Sequence, residues 1–143
     1  MSEIQSLKDK VAIITGGGTG IGRGIALALA QQQSRLVLCG RRRDRIESAL
    51  AEVQQAGAEG LAVTADISLE VDVDRVVQAA LKRFGQIDIL VNNAATSTDG
   101  ELHEVLPEAW DEVMGTNLRG PFLMTRAVLP WMRSQHSGQI LNI

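Results

Sequence analysis

At 143 residues, 45% of them hydrophobic and 22% charged, the chain is long enough for one domain with a real core, too short for two comfortable ones and too apolar for extensive disorder. Its 14 basic residues against 17 acidic ones leave a formal charge of −3, which offers no general electrostatic footprint for nucleic acid or an anionic membrane. No run approaches the ~18 consecutive apolar residues of a membrane span. The opening "MSEIQSLKDK" mixes both charge signs without the apolar stretch of a signal peptide, so a cytoplasmic location is expected.

The β-branched run "VAIIT", Val11 to Thr15, ends directly on glycines and predicts a strand buried on both faces. Ile21, Ile25, Ala28 and Leu29 then recur at helical spacing as far as the polar turn "QQQS". "RLVLCG" predicts a second strand, in which Cys39, the sole cysteine, reads as a small buried hydrophobe. Ile46, Ala49, Leu50 and Val53 mark one face of a helix ending near Gly57. "GLAVTAD" is expected to be the third strand, and Val73, Val76, Val77, Ala80, Leu81 and Phe84 form the helical stripe that follows it.

"IDILVNN" predicts the fourth strand, and two helical stretches come next, one with Trp110, Val113 and Met114, the other from about Leu118 toward Met132. Pro107 fits a first helical turn, whereas Pro130, lacking an N–H, is expected to kink or end its helix. "GQILNI" closes the alternation as a fifth strand whose Ile140, Leu141 and Ile143 read as buried. Strands alternating with helices imply an α/β fold: a Rossmann-like, doubly wound parallel sheet of about five strands with flanking helices, built from right-handed βαβ units. Residues 1–143 are expected to form one domain without linker or repeat.

The chemistry concentrates in "TGGGTGIG", where glycine permits both positive-φ turning and close approach of backbone amides to an anion at a helix N-terminus. The spacing is Gly16-x-x-x-Gly20-x-Gly22. A nucleoside-triphosphate loop fails, because Arg23 and Gly24 follow Gly22 where Lys and Ser/Thr are required. A glycine turn with no ligand stays open on spacing alone.

Thr15-Gly16-x-x-x-Gly20-Ile21-Gly22 resembles the cofactor motif of the short-chain dehydrogenase/reductase family, and further matches follow in order. Asn92-Asn93-Ala94-Ala95 is similar to that family's Asn-Asn-Ala-Gly, with Ala95 replacing the glycine; Asp66 and Ile67 in "ADIS" stand where the family contacts adenine; Asn117 in "GTNLRG" matches the asparagine of its catalytic tetrad. The resemblance implies that Thr15, Gly16, Gly18, Thr19, Gly20, Ile21 and Gly22 surround a pyrophosphate, with Asn92, Asn93 and Ala94 beside the cofactor. Asp66 could instead be a turn or cap residue, and the two asparagines could tie loops together. Asn117, poorly suited to a helix interior, is expected to have a specific hydrogen-bonding duty.

After the second strand a site for NAD would offer a carboxylate to the ribose 2′-OH. "LCGRRRD" supplies Arg41, Arg42 and Arg43 instead, and guanidinium pairs well with a 2′-phosphate, so NADP is the expected cofactor with Arg41 and Arg42 as contacts. A solvated helix start is the competing reading, and Asp44 could cap that helix or pair with the cluster. No metal site is expected.

The resemblance also implies a serine, and a tyrosine and lysine spaced Tyr-x-x-x-Lys, in which the phenol protonates a carbonyl oxygen and the ammonium lowers its pKa. This chain has no tyrosine, and Lys8, Lys10 and Lys82 all precede the region where that lysine belongs. Ser134 and Ser137 come before the fifth strand and do not match the serine. The expectation is an N-terminal, cofactor-binding half of a longer, truncated reductase, inactive by itself, whose parent is a homo-oligomer acting on a small carbonyl or alcohol. Family frequency favours a 3-oxoacyl thioester; a non-catalytic dinucleotide-binding module and an enoyl-thioester reductase parent remain as alternatives.

Overall fold

The β-branched run forms the centre of the molecule. In the computed structural model, which describes residues 6–143, β1 (Val11–Thr15) is buried at every position. Met1 to Gln5, part of the segment inspected for a leader, lie outside the described residues. Strands β2 (Arg35–Gly40), β3 (Gly60–Thr64), β4 (Ile89–Asn92) and β5 (Gln139–Asn142) join it in a parallel sheet ordered β3-β2-β1-β4-β5. The chain thus winds outward from β1 to β3, crosses back, and continues from β4 on the other side.

Period-two alternation divides the strand side chains between two cores. Ala12, Ile14, Leu36 and Leu38 pack with Ala26 and Ala30 of α1 (Gly20–Gln31) and with Ala49 and Val53 of α2 (Arg43–Gln55). Ile13, Val37, Cys39 and Leu90 meet Val73, Val76 and Val77 of α3 (Glu70–Phe84) on the opposite face. The last two helices are α4 (Pro107–Met114) and α5 (Gly120–Gln135), joined by a π-helical turn over Gly115–Arg119. Leu123, Met124, Val128 and Met132 of α5 complete the second core. Both faces are therefore covered by helices, as a doubly wound sheet requires. No described helix is long and apolar enough to cross a membrane.

Several boundaries differ from the sequence expectation, each for a local reason. β3 stops at Thr64 rather than Asp66, and the Asp66 N–H turns to the Asp72 carboxylate, Oδ2 at 2.7 Å. β4 stops at Asn92, and the Asn93 N–H goes to the Thr15 hydroxyl at 3.0 Å. Helix α5 does not end at Pro130 but runs five residues beyond it to Gln135. Pro130 is exposed, so water can replace its missing N–H, while Val128 and Met132 hold the flanking turns against the sheet. β5 is an edge strand rather than a buried one, with Leu141 44% exposed and Ile143, just past its end, 65% exposed. Cys39 is fully buried, and burial pushes its thiol up to about 12.

Candidate functional site

The order of the sheet reverses between β1 and β4, and in such sheets ligands bind beyond the carboxyl ends of the strands flanking that point. The residues after β1, β2, β3 and β4 meet there around a cleft of about 310 Å³.

Its floor is the glycine turn. Gly16 (φ +65°) and Gly20 (φ +53°) take left-handed backbone conformations that side chains resist. Gly22 is required for a different reason: a Cβ there would lie 2.3 Å from the Gly16 carbonyl oxygen and 2.5 Å from Asn93 Nδ2. Thr19, at the N-cap of α1, makes no side-chain capping bond, and the first turn of α1 carries no acid. The first N–H groups and the positive dipole end therefore reach the cleft with no acid of their own turn to neutralise them. That arrangement suits the pyrophosphate of a dinucleotide.

Behind the floor, Thr15 locks β1 to β4. Its Oγ1 accepts from the backbone N–H groups of Asn93 and Ala94, each at 3.0 Å, and donates to the Val91 carbonyl at 3.4 Å. Asn93 Nδ2 returns donations to the carbonyls of Thr15 at 3.0 Å and Gly16 at 3.3 Å. These bonds fix the turn relative to the strand beside it.

The wall after β3 is a carboxylate turn. Asp66 Oδ1 accepts from the Ser68 N–H at 2.9 Å and from the Ser68 hydroxyl at 2.6 Å, leaving Oδ2 without a donor among the described residues. Asp72, which holds the Asp66 N–H, is kept below the usual carboxylate range by that N–H first and by Arg75 second. After β2 comes the cationic wall. Arg41 Nη1 donates to Glu112 Oε1 of α4 at 3.0 Å, Arg43 pairs with Glu47 at 2.7 Å, and Arg45 lies 3.5 Å from Asp44. Asp44 therefore pairs within the cluster; the N-cap of α2 is Arg42, which makes no ion pair among the described residues.

Of the residues singled out from the sequence, Gly16, Gly18, Thr19, Gly20 and Ile21 line the cleft from the turn, Arg41 and Arg42 from the second strand, Asp66 and Ile67 from the third, and Asn93 and Ala94 from the fourth. Thr15, Gly22 and Asn92 stand outside this lining. Asn92 is buried in β4, donating to Asn142 Oδ1 at 2.9 Å and to Thr125 Oγ1 at 3.4 Å. Asn117 lies in the π-helical turn, and its amide brackets one backbone unit, Oδ1 accepting from the Thr96 N–H at 2.8 Å and Nδ2 donating to the Thr96 carbonyl at 2.9 Å. Sequence reasoning missed Gly40, Arg45, Ile46, Ala65 and Thr116 in the lining. Continuing the arginine run would have found Arg45; nothing local marks Thr116.

A second, wider groove of about 1000 Å³ adjoins the cleft, sharing Ala94 and Ala95 with it. Asn117, Leu118, Phe122 and Leu129 supply part of its wall, so Asn117 and the glycine turn occupy different depressions joined at those alanines.

The family model for short chain dehydrogenases matches residues 10–143. The chain belongs to that family. A 3-oxoacyl-(acyl-carrier-protein) reductase of Staphylococcus epidermidis is 35% identical over 136 residues, covering 94% of this chain and 56% of its own. Among solved structures, a metagenomic short-chain oxidoreductase in complex with NADP superposes with a TM-score of 0.92 at 34% identity, covering 96% of this chain and 63% of that one. A short chain dehydrogenase/reductase from Burkholderia phymatum in complex with NAD gives 0.94 at 33% identity, covering 97% and 50%. The chain thus spans a little over half the length of the curated relative. These short-chain dehydrogenase neighbours hold NAD in one case and NADP in the other, so membership of the family does not by itself fix the nucleotide.

Proposed function

We propose that residues 1–143 form the dinucleotide-binding domain of a cytoplasmic, NADP-dependent short-chain dehydrogenase that interconverts a small carbonyl compound and its alcohol. The observation that carries the nucleotide choice is the cationic wall: Arg41, Arg42 and Arg45 line the cleft after β2, where a site for a 2′-OH would present an acid. Similarity to the 3-oxoacyl-(acyl-carrier-protein) reductase supports a 3-oxoacyl thioester as the substrate class.

When bound, the nicotinamide supplies or accepts the hydride. The chain's own part is binding and orientation. The N–H groups at the start of α1 would hold the pyrophosphate in the glycine turn, with Gly18 and Thr19 beside it. Asp66 Oδ2 would accept from the adenine amino group, with Ile67 against the ring. Thr15, Gly22 and Asn92 would act from behind, keeping turn and strand in place, while Asn93 and Ala94 form the wall toward the nicotinamide end. Asn117 spends one lone pair and one N–H on Thr96; the remaining pair and N–H could position a water in a proton relay. The parent protein would be a homo-oligomer.

The chain has no tyrosine, so the phenol that protonates the carbonyl in this family is not among its residues. We accordingly expect the chain alone to bind without turnover, as a non-catalytic module would. The test is titration of the 143-residue chain with NADPH and NADH, following nicotinamide fluorescence and melting temperature together. Saturable binding that favours NADPH, weakened about tenfold by Arg42→Ala, is the expected result, since a charge-assisted pair contributes about 1.5–3 kcal/mol. Equal or tighter NADH binding would overturn the NADP assignment.

A further inference from the structure

We propose that Glu112 governs how readily this cleft accepts a 2′-phosphate, by competing with it for Arg41. The inference rests on the reading of the cleft as a nucleotide site. Three cations line its far end, and their partners differ. Arg42 has no ion-pair partner among the described residues, and Arg45 pairs with its immediate neighbour Asp44. Arg41 alone of the three is held by a distant element: Glu112 lies 71 residues further along the chain, on α4.

That element is lightly anchored. No residue of α4 is buried, the helix packs chiefly against the π-helical turn, and the Arg41–Glu112 pair is its one side-chain hydrogen bond among the described residues. A carboxylate on such a helix is well placed to follow or release a guanidinium without disturbing the core.

The competition discriminates between ligands through charge. A ribose 2′-phosphate brings a charge of about −1.5 to −2 and seeks the same Arg41 guanidinium, whose Nη1 already donates to Glu112. The Glu112 carboxylate, 3.0 Å from Arg41 Nη1 and so well within a Debye length of about 8 Å, also opposes the incoming anion directly. A plain 2′-OH carries no charge and leaves the ion pair intact. Glu112 therefore weakens binding of the phosphorylated ligand and not of the other. Both partners are about half exposed, at 51% and 58%, so the penalty is a few-fold, not orders of magnitude.

Adenosine 2′,5′-bisphosphate and 5′-AMP are suitable probes, titrated calorimetrically into the wild-type chain, Glu112→Gln, Arg41→Ala and the double variant. Glu112→Gln is expected to bind the bisphosphate about three- to tenfold tighter with 5′-AMP unchanged, a gain that shrinks between about 0.05 M and about 0.5 M salt and drops below about twofold when residue 41 is alanine. If the wild type fails to discriminate but Glu112→Gln does, the NADP reading falls and the competition stands. If the wild type discriminates and Glu112→Gln merely matches it, the competition falls and the NADP reading stands. Equal changes for both probes would mean that Glu112 acts on the cleft at large through α4, which overturns the inference; no binding of either probe to any of the four proteins overturns both.

Discussion

The glycine cleft and the groove beside it share Ala94 and Ala95, yet one is walled largely by backbone turns and charged residues and the other in large part by side chains of α5 and the π-helical turn. In the cleft, each wall follows a strand end by a few residues, so its shape is set by turn conformation and by hydrogen bonds such as those of Thr15 and Asp66. In the groove, Leu118, Phe122 and Leu129 project from the π-helical turn and α5, and their arrangement depends on how that helix lies on the sheet. A site made of backbone tolerates almost no added volume. A site made of exposed side chains tolerates a good deal.

Gly22→Ala should break the comparison most forcefully. Its Cβ would meet backbone and amide atoms well inside contact distance, so α1 must retreat from the turn; a loss of about 3 kcal/mol in chemical denaturation is expected, with saturable nucleotide binding abolished. A normal melt and normal affinity would mean that the turn is more plastic than its contacts indicate. Thr15→Val keeps the shape but removes the acceptor of the Asn93 and Ala94 N–H groups and should cost about 1–3 kcal/mol, with Thr15→Ser recovering most of it. Amide exchange at those two positions would report the loss directly.

Asp72→Asn tests the outer turn and has a pH signature. Because the folded environment lowers the Asp72 pKa, its stabilisation is full above the ordinary aspartate range and disappears as pH falls through the depressed folded value. The variant should therefore be less stable than wild type by about 1 kcal/mol at neutral pH, with the gap closing in acid; a pH-independent gap would remove the ion pairing from the explanation. The smallest effect belongs to the groove. Phe122 is 60% exposed, so Phe122→Ser should shift stability by less than about 0.5 kcal/mol while reducing binding of an apolar dye to that surface.

The same division explains what could be read from the sequence. Val11 to Thr15 followed by glycines, and Arg41 and Arg42 after the second strand, are local signals: a few adjacent residues state both the element and the edge of the cleft. Their partners were not legible. Nothing around Glu112 points to Arg41, and Thr116 enters the lining only because the π-helical turn brings it under the strand ends. Pro130 left two outcomes open for a related reason: whether a helix ends at a proline or runs on through it depends on whether that side of the helix faces water. Thr15, Gly22 and Asn92 match a motif, but a motif identifies a position as constrained without saying whether the constraint is ligand contact or support from behind.

Cys39 has a use that follows from its position rather than from any chemistry of the site. It is the chain's single sulfhydryl, sealed in β2 between β1 and β3, with Sγ 3.8 Å from the Ile14 carbonyl and a thiol whose pKa of about 12 leaves almost no thiolate at neutral pH. An alkylating reagent can reach it only while neighbouring strands part. The rate of its modification in native buffer is thus a built-in clock for the breathing of the sheet, readable by mass spectrometry from one atom per molecule, and any ligand that clamps the strand ends together should slow that clock.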